Sequence, residues 1–139
     1  MRHLLLIPVF LMFLLPNISS GQNYDKEIIG TWEMTSTKFT YPDGSVMEET
    51  EFKYPAIRIY TKTYYSFGRQ NNNGSLAAAL GGKYSIKGNI LTQERNYHVA
   101  SSYVGKTTDY EIKIEGEKFS LKGVSPNKIL IEEEYKRIE

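Results

Sequence analysis

The stretch Gly30-Thr31-Trp32 near one end of the sequence has its counterpart in Tyr135-Lys136-Arg137 near the other. An indole packs well beneath a guanidinium, because the face of the aromatic ring attracts a cation. A contact between Trp32 in the first strand of a sheet and Arg137 in the last strand would therefore be favourable. Such a contact would close the sheet into a barrel.

Between these two stretches the sequence alternates extended runs with turn residues at short spacing, as all-β proteins do. Pro42-Asp43-Gly44-Ser45 favours a tight turn, because proline fixes φ and glycine accepts a positive φ. Gly88-Asn89 is a strong hairpin signal. The runs amount to about eight to ten strands without a helix of ordinary length. An antiparallel closed barrel leaves no exposed edge, so we predict a single all-β antiparallel barrel.

Residues 1–21 read as a secretory signal peptide. Arg2 gives a positive start, residues 4–15 are apolar apart from Pro8, and residues 16–21 supply a break and small side chains for cleavage. The apolar run is shorter than the about 20 residues of a membrane helix. We expect cleavage near Gly21-Gln22. The remaining domain, residues 22–139, would be exported to the periplasm or secreted, with no membrane span.

Composition and charge exclude several classes of partner. The formal charge of +1 falls to zero when the leader is removed, because Arg2 is lost with it. A neutral chain with interspersed charges lacks the basic patch of a nucleic-acid-binding protein, and it gives no reason to expect an anionic membrane partner. The chain has no cysteine, which excludes a lipid-anchored start, disulfides and thiolate metal sites.

The alternation of side chains along strands predicts which residues face the barrel interior. In the last strand, the less charged face carries Ile129, Ile131 and Tyr135, and it brings Glu133 and Arg137 with it. A two-residue hairpin at Gly88-Asn89 places Ile86 opposite Leu91 and Tyr84 opposite Gln93. If Tyr84 and Ile86 face the interior, the alternate residues of the next strand do so as well. In other strands, Arg58 and Ile59 compete for one inward position. The remaining residues expected inside are Tyr65, Phe67, Tyr84, Ile86, Leu91, Gln93, Arg95, Tyr97, Val99, Tyr110, Ile112, Ile114, Phe119 and Leu121.

Four of these interior positions are polar: Gln93, Arg95, Glu133 and Arg137. Each buried polar group without a partner costs about 1–3 kcal/mol, and a domain of this size has only about 5–15 kcal/mol of net stability. Either these side chains pair, as Glu133 would with Arg95 or Arg137, or they line a ligand-filled cavity. An eight-stranded barrel is wide enough for one small ligand, so both interpretations stay open.

Several segments together resemble the small exported lipocalin-like domain proteins of bacteria, especially of Bacteroidetes. The segments that carry the resemblance are Gly30-Thr31-Trp32, Thr61-Lys62-Thr63-Tyr64-Tyr65-Ser66-Phe67, Gly81-Gly82-Lys83-Tyr84-Ser85-Ile86-Lys87-Gly88-Asn89 and Glu133-Glu134-Tyr135-Lys136-Arg137. That family is similar to the calycins in fold. The resemblance implies that Trp32 in the first strand meets Arg137 in the last strand. It also implies a barrel with an internal pocket, but no particular substrate.

Residues 71–82 place flexible glycines around a short apolar, helix-prone segment, Leu76-Ala77-Ala78-Ala79-Leu80. Long loops often carry binding sites, so this segment is interpreted either as a lid over the barrel mouth or as a mobile surface loop.

The sequence gives no positive sign of an enzyme, a metal site or a cofactor. His98 is the only histidine after the leader, and an inward Tyr97 turns it outward, so a catalytic triad or a histidine metal site lacks support. The glutamates at 48, 49 and 51 and at 132–134 alternate between faces and do not converge. An enzyme that uses Glu133 as a base ranks third among the hypotheses.

The leading hypothesis is an exported protein that holds a small, hydrophobic or amphipathic molecule in the barrel, with a polar or anionic group near Arg95 or Arg137. The alternative is a non-enzymatic module whose barrel is filled by its own side chains and whose loops contact a protein or glycan. For Trp32 and Arg137 a structural role is favoured over a ligand contact. The candidate ligand-binding residues are Trp32, Tyr65, Phe67, Gln93, Arg95, Tyr97, Tyr110, Glu133, Tyr135 and Arg137.

Overall fold

The computed structural model describes residues 23–139, so the predicted signal peptide lies outside the described residues. The strands are β1 Gly30–Thr40, β2 Val46–Glu49, β3 Ile57–Tyr60, β4 Tyr64–Gln70, β5 Leu76–Lys87, β6 Ile90–Glu94, β7 Tyr97–His98, β8 Thr107–Glu115, β9 Lys118–Val124 and β10 Leu130–Arg137. Helix α1 spans Tyr24–Glu27, and a 3-10 turn spans Ser101–Tyr103. From residue 23 onward, no helix is long and apolar enough to cross a membrane.

Eight strands form a closed antiparallel barrel in the order β1-β3-β4-β5-β6-β8-β9-β10, and β10 pairs again with β1. The other two strands are additions, because β2 pairs with the second half of β1 and β7 pairs with β5. The predicted all-β barrel of eight to ten strands is confirmed.

The seam between the first and last strands closes the sheet into a barrel, and its Trp32–Arg137 pair lies at one end. Trp32 lies directly opposite Arg137, and the guanidinium carbon is 4.1 Å from the centre of the indole ring. The indole Nε1 donates to the Ile28 carbonyl at 2.8 Å. Gly30 has a φ of 139°, and a Cβ there would lie 2.6 Å from an Arg137 nitrogen. The predicted contact between Trp32 and Arg137 is therefore observed, and glycine is needed beside it.

Inward-facing side chains follow the predicted alternation on most strands. Every second residue of β8, from Thr108 to Ile114, is buried. Phe119 and Leu121 on β9, Leu91 on β6 and Tyr135 on β10 are buried as well. On β3 the sequence left open whether Arg58 or Ile59 faces inward. Arg58 is the inward residue, because it is buried while Ile59 is exposed.

The alternation fails after β6. Tyr84 on β5 lies opposite Gln93, but Gly81 lies opposite Tyr97, so one extra residue is inserted on the β6–β7 side. A one-residue slip moves each following side chain to the other face. Tyr97 is half exposed and donates to Ser66 on the outer face, and Val99 is exposed as well. The predicted inward orientation of Tyr97 and Val99, and the outward orientation of His98, are therefore wrong.

The interpretation of residues 71–82 as a lid or a mobile loop is also wrong from Leu76 onward. Residues from Leu76 onward belong to β5, and Leu80 lies opposite Phe67 of β4. The pairing with β4 on one side and β7 on the other overrides the weak helix preference of the alanines. The loop itself is only the turn at residues 71–75.

Three hairpin turns at the same end of the barrel share one geometry: residues 41–45, 71–75 and 125–129. In each, the first N–H donates to the fifth carbonyl, and the fourth residue has a positive φ. That fourth residue is Gly44, Gly74 and Lys128, with φ of 85°, 85° and 61°. Two turns thus place glycine where it is unstrained, and the third places a lysine there.

Candidate functional site

The middle of the barrel holds a buried polar cluster, here called the central network: Arg58, Tyr60, Gln93, Glu133 and Tyr135. Arg58 Nη2 is 2.9 Å from Glu133 Oε2, and its Nε donates to the Tyr135 hydroxyl at 2.9 Å. That hydroxyl donates to Glu133 at 2.5 Å. Gln93 accepts from Arg58 at 3.4 Å and donates to Tyr60 at 2.6 Å. The network therefore satisfies its own hydrogen bonds without a ligand.

The central network corrects the predicted ion pairs. Glu133 pairs with Arg58, not with Arg95 or Arg137. Burial opposes the charge of Arg58, but Tyr135, Tyr60 and Glu133 hold the pKa of its guanidinium above the ordinary value. Burial likewise raises the pKa of the Tyr60 and Tyr135 phenols. Phe67 covers the cluster, because its ring lies 4.5 Å from the guanidinium of Arg58.

Arg137 lies at the closed end of the barrel, where the first and last strands meet. Its Nη1 donates to the Ile29 carbonyl at 2.8 Å, its Nη2 donates to the Glu27 carbonyl, and its charge lies over Trp32. The guanidinium thus fastens the chain before β1 to the last strand. This geometry agrees with the structural role favoured for Trp32 and Arg137.

The opposite end, called the mouth, is where β6 ends and β8 begins. We call Arg95, Tyr65, Tyr110, Tyr103 and His98 the mouth cluster. Arg95 is only 4% exposed, yet no carboxylate among residues 23–139 lies within 4.0 Å of it. Its Nη2 is 3.4 Å from the Tyr110 hydroxyl, and its Nη1 has no hydrogen-bond partner among the described residues. A buried guanidinium thus keeps a donor unused.

Three more inward-facing polar atoms have no hydrogen-bond partner within residues 23–139: the Tyr65 hydroxyl, Thr37 Oγ1 and Thr108 Oγ1. Burial raises the pKa of Tyr65 to about 12, although the nearby charge of Arg95 acts in the other direction. Burial also raises the pKa of Tyr110. The mouth cluster therefore combines a cation with phenols that remain protonated, which are hydrogen-bond donors for an acceptor group.

The connection at residues 95–106 covers the mouth. Two backbone hydrogen bonds join the two ends of this connection: the Gly105 N–H donates to the Arg95 carbonyl at 2.8 Å, and the Arg95 N–H donates to the Lys106 carbonyl at 3.1 Å. Tyr103 stacks on His98 with ring centres 4.7 Å apart, and Asn127 in the β9–β10 turn donates to its hydroxyl. Residues 71–82, for which a lid was one of two interpretations, lie in a turn and in β5 instead.

An open cleft of about 780 Å³ lies at the mouth beside this connection. Lys106 and Thr107 contribute to its wall from one side, and Gly123 and Ser125 from β9 and the turn after it. Thr108, a buried residue of β8, also lines it. None of the five mouth-cluster residues is among those that line this cleft.

The predicted site residues therefore separate into four groups. Gln93, Glu133 and Tyr135 belong to the central network, beside Phe67. Tyr65, Arg95 and Tyr110 belong to the mouth cluster. Trp32 and Arg137 lie at the closed end, and Tyr97 lies outside the barrel.

Sequence reasoning missed Arg58, His98 and Tyr103. For Arg58 the usable signal was Glu133, an interior carboxylate that required a cationic partner. No comparable signal marks His98, because its orientation depends on the bulge. Within residues 23–139, no cluster of three or more histidine, aspartate or glutamate side chains is placed to hold a metal ion.

The barrel is similar to solved structures of low sequence identity. A lipocalin-like protein from Bacteroides uniformis superimposes with a TM-score of 0.51 at 15% identity, over 81% of this chain and 99% of that chain. A redesigned β-barrel superimposes with a TM-score of 0.54 at 12% identity, over 83% of this chain and 95% of that chain. No protein-family model and no curated protein matches the sequence. The fold is thus lipocalin-like, as the resemblance in the sequence implied.

Proposed function

We propose that this protein binds a small, partly apolar molecule whose anionic group pairs with Arg95 at the mouth of the barrel. One observation carries the proposal: Arg95 is buried without a carboxylate partner and with an unused donor on Nη1. A buried charge is expensive unless it is paired. A ligand carboxylate, sulfonate or phosphate would supply the missing charge and accept hydrogen bonds from Arg95 and Tyr65.

Access to Arg95 requires the connection at residues 95–106 to move. Tyr103 lies 5.9 Å from the guanidinium and is fastened by contacts with His98 and Asn127. Such a connection opens and closes more readily than the barrel wall, because it has few backbone hydrogen bonds to the sheet. We expect the apolar part of the ligand to lie against the aromatic rings of the mouth cluster beside Arg95. The predicted export would place this binding outside the cytoplasm.

The proposal is tested with a pair of fluorescent probes that differ in charge. 8-Anilinonaphthalene-1-sulfonate carries a sulfonate, and N-phenyl-1-naphthylamine has the same aromatic body without it. We expect the sulfonate probe to bind at least about tenfold more tightly, since a hydrogen bond to a buried charge is worth about 1.5–3 kcal/mol. Arg95→Met should remove this preference and leave affinity for the neutral probe unchanged.

Lys122→Met is the matched control, because it removes one cation from the outer face of β9, where the side chain is exposed. Its probe preference should equal that of the unaltered protein. Equal preference in Arg95→Met and Lys122→Met would contradict the proposed site.

A second candidate function is a module that contacts a protein or glycan through its loops. It is supported by exposed aliphatic side chains at the mouth end, namely Val46, Met47, Leu76, Val99, Val104 and Val124. Native mass spectrometry of protein purified from its own host separates the two candidates. A small mass lost on denaturation supports a ligand carrier, while folded protein of bare mass favours the interaction module.

A further inference from the structure

Three basic side chains lie around the Tyr103 ring at the mouth. The charged groups of Arg95 and Lys106 each lie 5.9 Å from the centre of the Tyr103 ring, and His98 stacks on it at 4.7 Å. No ion pair within 4.0 Å joins any of these three to a carboxylate in the part of the chain that the structure describes. The cluster is therefore positive without internal compensation.

The bulge after β6 gives His98 its place in this cluster. His98 lies opposite Leu80, whose other neighbour is the inward-facing Phe67. His98 Nδ1 accepts a hydrogen bond from the Ala100 N–H at 2.9 Å. The neutral ring therefore carries its proton on Nε2 and has a donor to offer.

The surroundings of His98 disfavour its charged form in the free protein. Burial and the charge of Arg95 both lower the pKa of His98. Tyr103 faces it from the 3-10 turn, and β5 faces it with the uncharged Leu80. Protonation would add a second cation beside Arg95, and it would remove the acceptor that holds the Ala100 N–H.

We propose that His98 belongs to the anion site and takes up a proton when an anionic ligand binds, so that affinity increases as the solution is acidified. This inference rests on the proposed site at Arg95. A bound anion compensates Arg95 and attracts a proton to His98, while the charged ring releases residues 98–100 and so loosens the covering connection. Linkage makes the effect reciprocal, because whatever strengthens proton binding also strengthens anion binding.

The test measures affinity for 8-anilinonaphthalene-1-sulfonate between about pH 8 and pH 5, the range in which histidine changes charge. The sulfonate stays ionised throughout, so any change belongs to the protein. We expect affinity to rise about five- to tenfold on acidification, with no change for N-phenyl-1-naphthylamine. His98→Asn should give a flat profile. Tyr97→Phe, on the neighbouring outward-facing residue, should keep the slope.

Proton NMR gives a readout that is independent of affinity. The chain has two histidines, His3 and His98, and the imidazole resonance that is missing from the His98→Asn spectrum belongs to His98. The midpoint of the His98 titration should move to higher pH when the sulfonate probe is bound. An unmoved titration and a pH-independent affinity, with the Arg95-dependent preference intact, would overturn this inference and leave the proposed function standing. Loss of the Arg95-dependent preference at every pH would overturn both.

Discussion

Arg58 and Arg95 are equally buried, each 4% exposed, yet they occupy opposite kinds of surroundings. Arg58 pairs with Glu133 and bonds to Tyr135 and Gln93, so the central network is complete. Arg95 has one long contact with Tyr110 and an unused donor. Burial alone therefore does not distinguish the two arginines. The completeness of their hydrogen bonding does.

The largest expected effect is a difference in stability between two substitutions, Arg58→Met and Arg95→Met. Arg58→Met should lose about 3–5 kcal/mol of stability, because it leaves the buried Glu133 without a partner. Arg95→Met should keep or raise stability, since it removes a buried donor that has no acceptor. The midpoint of urea unfolding measures both variants.

Glu133→Gln serves as a second test of the central network, because it keeps the shape of the side chain and removes the charge. It should also be strongly destabilised, since it leaves Arg58 as an unpaired buried cation. Similar losses in Arg58→Met and Arg95→Met would erase the distinction between the two regions.

A second expected effect appears at high pH. The pKa values of Tyr60 and Tyr135 lie above that of a free tyrosine because the phenols are buried. The unfolded chain thus releases these protons first, so stability is complete below about pH 10 and declines above it, by about 1.4 kcal/mol per pH unit for each phenol. Urea midpoints between about pH 9 and pH 11 measure the decline.

Tyrosinate absorbance sharpens the comparison between the two regions under the same conditions. Tyr65 of the mouth cluster, with a pKa of about 12, should release its proton before Tyr60 does. Tyr65→Phe should remove that step from the titration. A titration in which all the tyrosines ionise together below about pH 11 would show that the central network is open to solvent.

The smallest expected effect is a change in stability at the turns near the mouth cluster, without a change in probe binding. Lys128→Gly should stabilise the protein by about 0.5–1 kcal/mol, because Lys128 has a φ of 61° and glycine accepts this conformation without strain. Gly44→Lys, at the same position of a sister turn, should cost a similar amount. Neither substitution should change the preference for the sulfonate probe. A changed preference would place the turns in the binding site.

The sequence allowed prediction of the barrel and most of its interior because both depend on local patterns. The alternation on β8 and the hairpin at Gly88-Asn89 determine which faces are buried. The contact between Trp32 and Arg137 was implied by the family resemblance that two short motifs carry, and the attraction between ring and cation supports it.

The candidate site was predicted less completely because it depends on irregular backbone. The extra residue after β6 reverses Tyr97 and His98, and no residue type in that stretch announces it. The partner of Glu133 lies 75 residues away on β3, where Arg58 and Ile59 were equally eligible. Both interpretations of residues 71–82 were wrong from Leu76 onward, because pairing with β4 overrides the helix propensity of the alanines.

The seam between β1 and β10 has a consequence for the order of folding. It joins residues 90 to 105 positions apart, from Thr40–Leu130 (130 − 40) to Trp32–Arg137 (137 − 32), whereas hairpins such as β8–β9 join neighbours in sequence. The entropy of closing so long a loop makes the seam a late and slow event. The single tryptophan of the chain, Trp32, lies on this seam. Its fluorescence therefore reports the final closure of the barrel.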